Sequence, residues 1–249
     1  MDPVRWSNLE YMADAPAVYR YRLENGVTVS TAMRFGSLVH AIVLGTVTDG
    51  FVKYDGQRRG NDWAEFKALH GSQEIVTADE WDRAMECAAA VLSDPICGPL
   101  VKSGIKEHRL WWNVGPRTCA GTPDVHGNIL LDLKVTQMAN PLRIAWHVRK
   151  MMWHAQLAWY KHGIEANGGT VKDVYLVAVT PKPPYMAVAY ILKPETIEFG
   201  TKQWRALFER LLVCEDSGQW PGYAQEILPL GIDDDEGVTL TIDGEEWNL

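Results

Sequence analysis

The chain has 249 residues, of which 47% are hydrophobic and 22% charged, and its net charge is −8. This length allows a large buried core, and no apolar run approaches the length of a membrane crossing, so we expect no membrane partner. The first ten residues, MDPVRWSNLE, lack the layout of a signal peptide, which favours a cytoplasmic protein. The scattered cysteines predict buried free thiols and not a metal cluster: Cys87, Cys97, Cys119 and Cys214.

The acidic net charge argues mildly against nucleic-acid binding, because phosphate contacts need Lys and Arg. However, much of the excess lies in an acidic tail at residues 231–249, which contains Asp233–Glu236, Asp243, Glu245 and Glu246. The rest of the chain is closer to neutral. Net charge alone therefore does not exclude a protein that binds DNA.

The amino-terminal part carries helical signals. Ser7-Asn-Leu-Glu10 has the pattern of a capping box and predicts a helix that begins there. A second predicted helix covers Thr31–Leu44 and ends at Gly45, a residue type favoured just after a helix. Thr77-Ala-Asp-Glu80 is another capping box, and it predicts a helix that ends at Asp94-Pro95.

In the centre of the chain, the apolar period changes to that of β-strands. Glu107–Val114 alternates and is rich in tryptophan. The odd-numbered residues of Ile129–Val135 are apolar and would share one face of a strand, whereas Asp132 and Lys134 would lie on the other. Gly127-Asn128 predicts the turn before this strand. We expect a β-meander with one buried face.

The remainder alternates between helical and strand signals. Asn140-Pro141 predicts the start of one long helix that runs to His162-Gly163, with Asn as the cap and Pro in the first turn. Strands are predicted at Val174–Val179 and Met186–Leu192, and a last helix at Thr201–Glu215. This order predicts an α/β fold with a central mixed β-sheet flanked by helices.

We expect a single domain, residues 1–249, because the chain shows no repeat, low-complexity segment or Pro/Ser-rich linker. Residues 1–100 would form a mainly helical part and residues 105–192 the catalytic sheet with the long helix. The carboxyl-terminal helix would lie in residues 193–230, followed by the acidic tail at 231–249.

The most informative residues are Asp124 and the pair Asp132 and Lys134. If the two strands on either side of the turn pair so that Asp124 faces Asp132, their Cβ atoms lie about 5 Å apart. Facing partners require an odd number of loop residues, or a bulge, between the strands. Two carboxylates at this separation repel each other unless a cation lies between them, and hard oxygen ligands suit Mg²⁺ or Mn²⁺.

This arrangement favours hydrolysis of a phosphodiester bond. A divalent cation activates water and neutralises phosphate charge, while Lys134 can orient the water and stabilise developing charge. Glu107 is a candidate third carboxylate. The structural alternatives are ordinary: Asp124 as a turn residue, Lys134 as a solvated strand lysine and Glu107 as a surface charge. The spacing D-x7-D-x-K after Gly121-Thr-Pro-Asp124 favours the joint functional interpretation.

Most of the chain resembles the carboxyl-terminal nuclease domain of exodeoxyribonuclease VIII, the RecE-type exonucleases of phages and prophages in the PD-(D/E)xK superfamily. The combination of motifs is more specific than the D-x-K pattern alone. The segments that carry the resemblance are Ser7–Glu10, Ala13–Tyr19, Phe35–His40, Gln57–Arg59, Glu107–Trp112, Asp124, Asp132–Thr136, His154–Tyr160, Trp220-Pro221 and Leu228-Pro229.

The resemblance implies roles for these residues. Asp124 and Asp132 would bind the metal ion with the Leu133 carbonyl, Lys134 would be the catalytic lysine, and His40 would approach the metal from a helix. Glu107 would be a further active-site and metal-binding acid. The resemblance also implies a DNA-binding group. Its members are Gln156 and Tyr160, which stand at i and i+4, Arg149 and Arg59. Arg149 and Trp153 would extend the stripe of Gln156 and Tyr160 along the helix.

The resemblance further implies a Mg²⁺-dependent exonuclease that digests one strand of linear duplex DNA from 5′ to 3′ and leaves 3′ overhangs for annealing recombination. Its implied partners are double-stranded DNA ends, further copies in a toroidal homo-oligomer, and a single-strand annealing protein. The implied setting is the cytoplasm of a bacterial host, with a phage or prophage gene. Two alternatives remain open: a structure-specific or restriction-type endonuclease on the same fold, and a non-catalytic DNA-end-binding protein.

Overall fold

The computed structural model describes residues 2–224, 227, 239–242 and 245–248. Its helices are α1 Trp6–Leu9, α2 Pro16–Asn25, α3 Thr31–Leu44, α4 Val47–Gly50, α5 Gly60–Leu69, α6 Ala78–Ser93, α7 Cys97–Lys102, α8 Ile144–Lys150, α9 Trp153–Ala166 and α10 Pro194–Ser217. Its strands are β1 Val4–Arg5, β2 Phe51–Tyr54, β3 Glu74–Thr77, β4 Ile105–Lys106, β5 Leu110–Val114, β6 Arg117–Gly121, β7 Val125–His126, β8 Ile129–Val135, β9 Asp173–Val179, β10 Ala187–Ile191, β11 Thr239–Ile242 and β12 Glu245–Asn248. The interior of the acidic tail lies largely outside the described residues.

A five-stranded mixed sheet with the order β10-β9-β8-β7-β4 forms the centre of the fold. β8 and β9 are parallel, and the other neighbours pair antiparallel. On one side of β8, Leu131 and Leu133 pack with the residues of α3 and α6. On the other side, Leu130 packs with α9 and α10, around Trp159. The predicted α/β architecture with a central mixed sheet flanked by helices is confirmed.

The predicted β-meander with one buried face is wrong. β6 leaves the central sheet and pairs with β5 and β1 in a separate three-stranded sheet, so the chain crosses between sheets just before Asp124. Leu130, Leu131, Asp132 and Leu133 are all buried. Helices cover both faces of β8. The apolar alternation correctly assigned residues to the two faces of the strand, but it could not show that both faces are buried.

Two of the three predicted amino-terminal helices are confirmed. Gly45 ends α3 in the left-handed conformation, with φ 84°, and Thr77 and Glu80 form the full reciprocal capping box of α6. The Ser7 capping box is wrong, because α1 already begins at Trp6 and has no side-chain cap. The pairing of β1 with β6 determines where this helix starts, and the chain then continues through a short 3-10 helix at Glu10–Ala13.

The predicted long helix is also wrong, because it is divided into α8 and α9. Met152 adopts a left-handed conformation, with φ 51°, at the division. The Asn140 side chain accepts a hydrogen bond from the Leu142 N–H and so caps a turn at residues 141–143. The helix α8 starts only after this turn, at Ile144. The strands predicted near β9 and β10 are present, and the last helix extends beyond its predicted bounds to Pro194–Ser217. All four cysteines are buried and free, as predicted.

The close packing of α10 against α9 depends on one glycine. A Cβ atom at Gly200 would lie 2.5 Å from the carbonyl oxygen of His154. Gly36, inside α3, has no atom within 4 Å of its added Cβ position and serves as a matched control. We expect Gly200→Ala to lower the free energy of unfolding by about 1–3 kcal/mol through overpacking, and Gly36→Ala to raise it by up to about 1 kcal/mol through helix propensity. Urea denaturation of both variants tests the sign of each effect.

Among the helices that the structure describes, none combines the length and apolar character needed to cross a membrane.

Candidate active site

Three carboxylates form a row across neighbouring strands. Val125 pairs with Leu131 and His126 with Leu130, so residues 127–129 form a connection of three residues. This odd number is what the facing arrangement of Asp124 and Asp132 requires. The β4–β7 register, continued by one step, places Glu107 beside Asp124, and the Glu107 N–H donates to the Asp124 carbonyl oxygen at 3.1 Å. Glu107, Asp124 and Asp132 therefore occupy consecutive places across the sheet.

Asp124 is held by two groups from other elements. Its Oδ2 accepts a hydrogen bond from the Leu133 N–H at 2.6 Å and lies 3.5 Å from Nδ1 of His40, which projects from α3. Burial alone would raise the pKa of Asp124, but His40, Lys134 and the Leu133 N–H stabilise the carboxylate and lower its pKa below the ordinary value. The Asp124 charge in turn overcomes burial and raises the pKa of His40. Asp124 is therefore ready to act as an anion.

Asp132 is in a different electrostatic position. Asp132 is only 2% exposed. Burial and the nearby Asp124 charge raise the pKa of its carboxyl group, although the Lys134 charge opposes the shift. Lys134 Nζ lies 2.7 Å from Asp132 Oδ2, which is close enough for an ion pair. Apart from this ion pair, the buried Oδ2 atom has no hydrogen-bond partner among the described residues. Its remaining lone pairs are available to a cation, which hard carboxylate oxygens bind.

A chain of polar contacts leads from this carboxylate to α9. Lys134 Nζ donates to Oε1 of Gln156 at 2.8 Å, and the Gln156 amide donates to the Tyr160 hydroxyl at 3.1 Å. The ammonium group also lies 5.5 Å from the ring centroid of Trp153, within the range of a cation–π contact. One face of α9 thus fixes the position of Lys134 through Trp153 and Gln156, three residues apart.

An open cavity of about 850 Å³ gives access to the row. Its lining includes His40, Glu107, Lys134, His147 and Trp153, contributed by elements that are far apart in the sequence. The Glu107 side chain is exposed, and its backbone is left-handed with φ 47°, a conformation that non-glycine residues adopt infrequently. The unusual backbone lies between β4 and β5, not within the alternating strand predicted for Glu107.

The structure does not bring every predicted site residue to this cavity. Arg149 lies on α8 and lines a separate, mostly apolar cavity with Val148 and Phe199, so the division between α8 and α9 removes it from the stripe of Gln156 and Tyr160. Arg59 is exposed at the start of α5, where its Nε donates to the side chain of Gln57. The Leu133 N–H donates to Asp124. This contact does not involve the Leu133 carbonyl oxygen, so the metal-binding role predicted for that oxygen stays a prediction.

Sequence reasoning missed Glu10, which it assigned to a capping box. This residue begins the 3-10 helix at Glu10–Ala13, and burial raises its pKa to about 7, against the opposing charge of Lys134. The Glu10 charge also contributes to the raised pKa of Tyr160. The available signal was an acid next to the apolar positions Leu9 and Met12, but only the tertiary structure brings it within electrostatic range of Lys134.

The raised pKa of Glu10 has a consequence for stability. The folded protein favours the neutral acid, so its contribution is complete below pH 4.5 and is lost as the pH rises through about 7. We expect Glu10→Gln to keep this contribution and exceed the wild-type free energy of unfolding at pH 8 by up to about 3 kcal/mol, but by little at pH 4.5. Urea denaturation at both pH values, with the exposed Glu209→Gln as control, measures the difference. Equal stability of Glu10→Gln and wild type at pH 8 would contradict it.

The arrangement of these residues fits a divalent cation at Asp124 and Asp132, because their carboxylates occupy neighbouring places across the sheet. No group of three or more His, Cys, Asp or Glu side chains forms a complete ligand set within the described part of the chain. The site therefore offers a pair of carboxylates, with backbone or water oxygens as the remaining ligands.

The fold and the row of acids beside a lysine define a PDDEXK-like protein, a class whose fold supports a nuclease. The sequence profile of a PDDEXK-like domain of unknown function, DUF3799, matches residues 6–228, and the chain belongs to this family. A crystal structure of a "Putative exonuclease" from Eubacterium rectale is similar in fold, with a TM-score of 0.65 and 13% sequence identity over 93% of this chain and 91% of that chain. Comparison with curated proteins gave no match.

Proposed function

We propose that this protein is a Mg²⁺-dependent exonuclease that hydrolyses one strand of linear duplex DNA from 5′ to 3′. The observation that carries the proposal is the facing pair of Asp124 and the buried Asp132, with Lys134 Nζ 2.7 Å from Asp132 Oδ2. Membership of the PDDEXK-like family, and a fold shared with a structure described as a "Putative exonuclease", support nuclease activity without specifying its substrate. The direction of digestion and the 3′ overhang product come from the resemblance to RecE-type enzymes.

Asp124 and Asp132 would hold the cation, with the Leu133 carbonyl as a further ligand and Glu107 and His40 at the edge of the site. When bound, Mg²⁺, or Mn²⁺ in its place, would supply a more acidic water and charge neutralisation at the phosphate. The lowered pKa of Asp124 favours an ionised ligand at neutral pH. The raised pKa of Asp132 means that this carboxyl gains most from a nearby positive charge.

Lys134 would orient the attacking water and stabilise the charge that develops on the phosphate oxygens. Gln156 holds the ammonium through its Oε1 atom, and Trp153 covers the lysine from one side. Tyr160 keeps the Gln156 amide oriented through its hydroxyl. We assign Gln156 and Tyr160 to positioning the lysine and the DNA strand, and Arg59 and Arg149 to more distant phosphate contacts.

The substrate and partners follow from the same proposal. Double-stranded DNA ends are the substrate, and a toroidal homo-oligomer would retain them, because a net charge of −8 gives a single copy little electrostatic hold on DNA. The products would pass to a single-strand annealing protein in the cytoplasm of a bacterial host, and the gene would belong to a phage or prophage. We propose that residues 1–249 act as one nuclease unit in each copy.

Digestion of labelled DNA tests the proposed reaction. Linear duplexes labelled at the 5′ or the 3′ end, and a covalently closed circle, are incubated with Mg²⁺, with Mn²⁺ or with EDTA. We expect early release of the 5′ label as short products from linear DNA, only with a divalent ion, and no cleavage of the circle. Cleavage of the circle would favour the endonuclease alternative, and metal binding without any cleavage would favour a DNA-end-binding protein.

A further inference from the structure

A second, smaller pocket adjoins the candidate active site. We call it the arginine pocket. It has a volume of about 250 Å³ and lies where the three-stranded sheet approaches α9. The residues that supply its polar groups are Arg5, Ser7, Arg109, Thr122 and Tyr160. None of the described residues that line it is acidic. Elsewhere in the fold, Arg117 is neutralised by Glu215.

Strand pairing brings the two arginines to the same place from opposite sides of β6. Arg5, on β1, pairs with Ala120. Leu110 pairs with Gly121 in the β5–β6 register, and one further step places Arg109 beside Thr122. The backbone positions of both arginines, on opposite sides of the end of β6, therefore follow from the strand register.

Neither guanidinium is neutralised by a protein carboxylate. Arg5 and Arg109 are exposed and form no ion pair with any residue that the structure describes. Arg109 is held 4.6 Å from the ring centroid of Trp111, which restrains its side chain without reducing its charge. Two unpaired guanidinium groups with hydroxyls nearby provide planar, charged donors that suit a phosphate.

The arginine pocket shares Tyr160 with the polar chain that fixes Lys134. Thr122 in the pocket and Asp124 in the acid row are two residues apart, which limits the distance between their Cα atoms to about 7 Å. The pocket and the acid row therefore adjoin each other. This is the geometry that a strand with one phosphate at the acid row needs in order to present a nearby phosphate to the arginines.

We infer that the arginine pocket binds a phosphate of the DNA strand next to the one that is cut. The inference rests on the proposed nuclease function and extends it by naming the residues that set the register of the strand. The phosphate can be a terminal 5′-phosphate monoester or an internal phosphodiester. Arg5 and Arg109 would donate to its oxygens, while the Ser7 hydroxyl and Tyr160 complete the wall of the pocket.

Binding of short duplexes without cleavage tests the inference. Wild type, Arg5→Gln, Arg109→Gln and the control Arg205→Gln are compared in EDTA by fluorescence anisotropy, on duplexes with 5′-phosphate and with 5′-hydroxyl ends. Arg205 is a suitable control because it is exposed on α10, and its guanidinium lies 5.5 Å from the Trp204 ring centroid, as Arg109 lies over Trp111. We expect each pocket variant to lose about ten-fold or more in affinity and the control to lose far less.

The two end chemistries distinguish the source of the phosphate. If the site takes a terminal monoester, wild type prefers 5′-phosphate ends and both pocket variants remove this preference. If the site takes a diester, each pocket variant loses the same affinity for both duplexes. The salt dependence of binding then falls by about one charge for each variant. Pocket variants that bind both duplexes as Arg205→Gln does would overturn the inference.

Cleavage by wild type is scored separately, so the two claims can fail independently. A wild type that digests linear DNA, with pocket variants of unchanged affinity, would reject the arginine pocket and leave the nuclease proposal standing. A wild type without nuclease activity would reject the proposed function, while an arginine-dependent affinity for phosphate would still support the pocket. Thermal unfolding of each variant confirms that the comparison is between folded proteins.

Discussion

Asp132→Asn should reduce metal-dependent DNA cleavage to less than ~1% of the wild-type rate, with the fold intact. Asparagine keeps the shape of the side chain but removes the charge that attracts a cation. Because burial and Asp124 raise the pKa of Asp132, the neutral amide should hold or raise the free energy of unfolding at neutral pH. Cleavage of linear duplex in Mg²⁺ and in Mn²⁺ gives the primary measurement.

Two further measurements make the Asp132 prediction specific. Calorimetric titration with Mn²⁺ should show a large loss of affinity in Asp132→Asn and in Asp124→Asn, since each removes a ligand. Asp216→Asn, at an exposed position of the last turn of α10, should behave as wild type in cleavage and in metal binding. Substantial nuclease activity in both site variants would exclude this pair of carboxylates as the metal site.

Lys134→Ala should lower the rate of cleavage by about 10²–10⁴-fold while metal and DNA still bind. The ammonium group lies between the Asp132 carboxylate and the Gln156 carbonyl, so alanine removes the positive charge without removing a metal ligand. Single-turnover cleavage at saturating Mn²⁺ separates the chemical step from binding. A normal rate in metal-saturated Lys134→Ala would make the lysine a structural partner of Asp132.

The matched control for this prediction is Lys161→Ala. Lys161 also lies beside an acid, Glu165, but on the solvent side of α9. Its loss should change neither the rate nor the affinity for metal. Gln156→Ala adds an intermediate step, because it frees the Lys134 ammonium from its acceptor. We expect a smaller loss of rate than in Lys134→Ala, with unchanged affinity for Mn²⁺.

Local sequence patterns predicted the acid row more accurately than they predicted the surrounding helices. The strand period predicted that Asp132 and Lys134 share one face. Whether Asp124 faces Asp132 depended on the length of the turn, and the structure has three connecting residues where Gly127-Asn128 alone would give two. Glu107 joins the row through a β4–β7 register that the sequence did not indicate. The sequence predicted Glu107 as the first residue of an alternating strand, but that strand, β5, begins only at Leu110.

The errors lie where distant contacts decide the structure. Ser7–Glu10 and Thr77–Glu80 carry the same capping pattern, but only the second forms a capping box, because β1 already fixes the chain before α1. Met151 and Met152 contain no helix-breaking signal, so the division between α8 and α9 could not be predicted from propensity. The raised pKa of Glu10 likewise arises from burial by residues far away in the sequence.

The parallel pairing of β8 with β9 links completion of the site to the order in which the chain is made. Parallel strands need a crossing connection, and here residues 136–172 provide it and carry α9. A ribosome-bound chain that has exposed β7 and β8 possesses Asp124, Asp132 and Lys134 but not yet Gln156. Gln156 follows Lys134 by 22 residues, so the lysine is made before the acceptor that holds it. A chain that stops before α9 would therefore carry Lys134 without its positioning residue, and we expect the proposed nuclease to be incomplete in such a fragment.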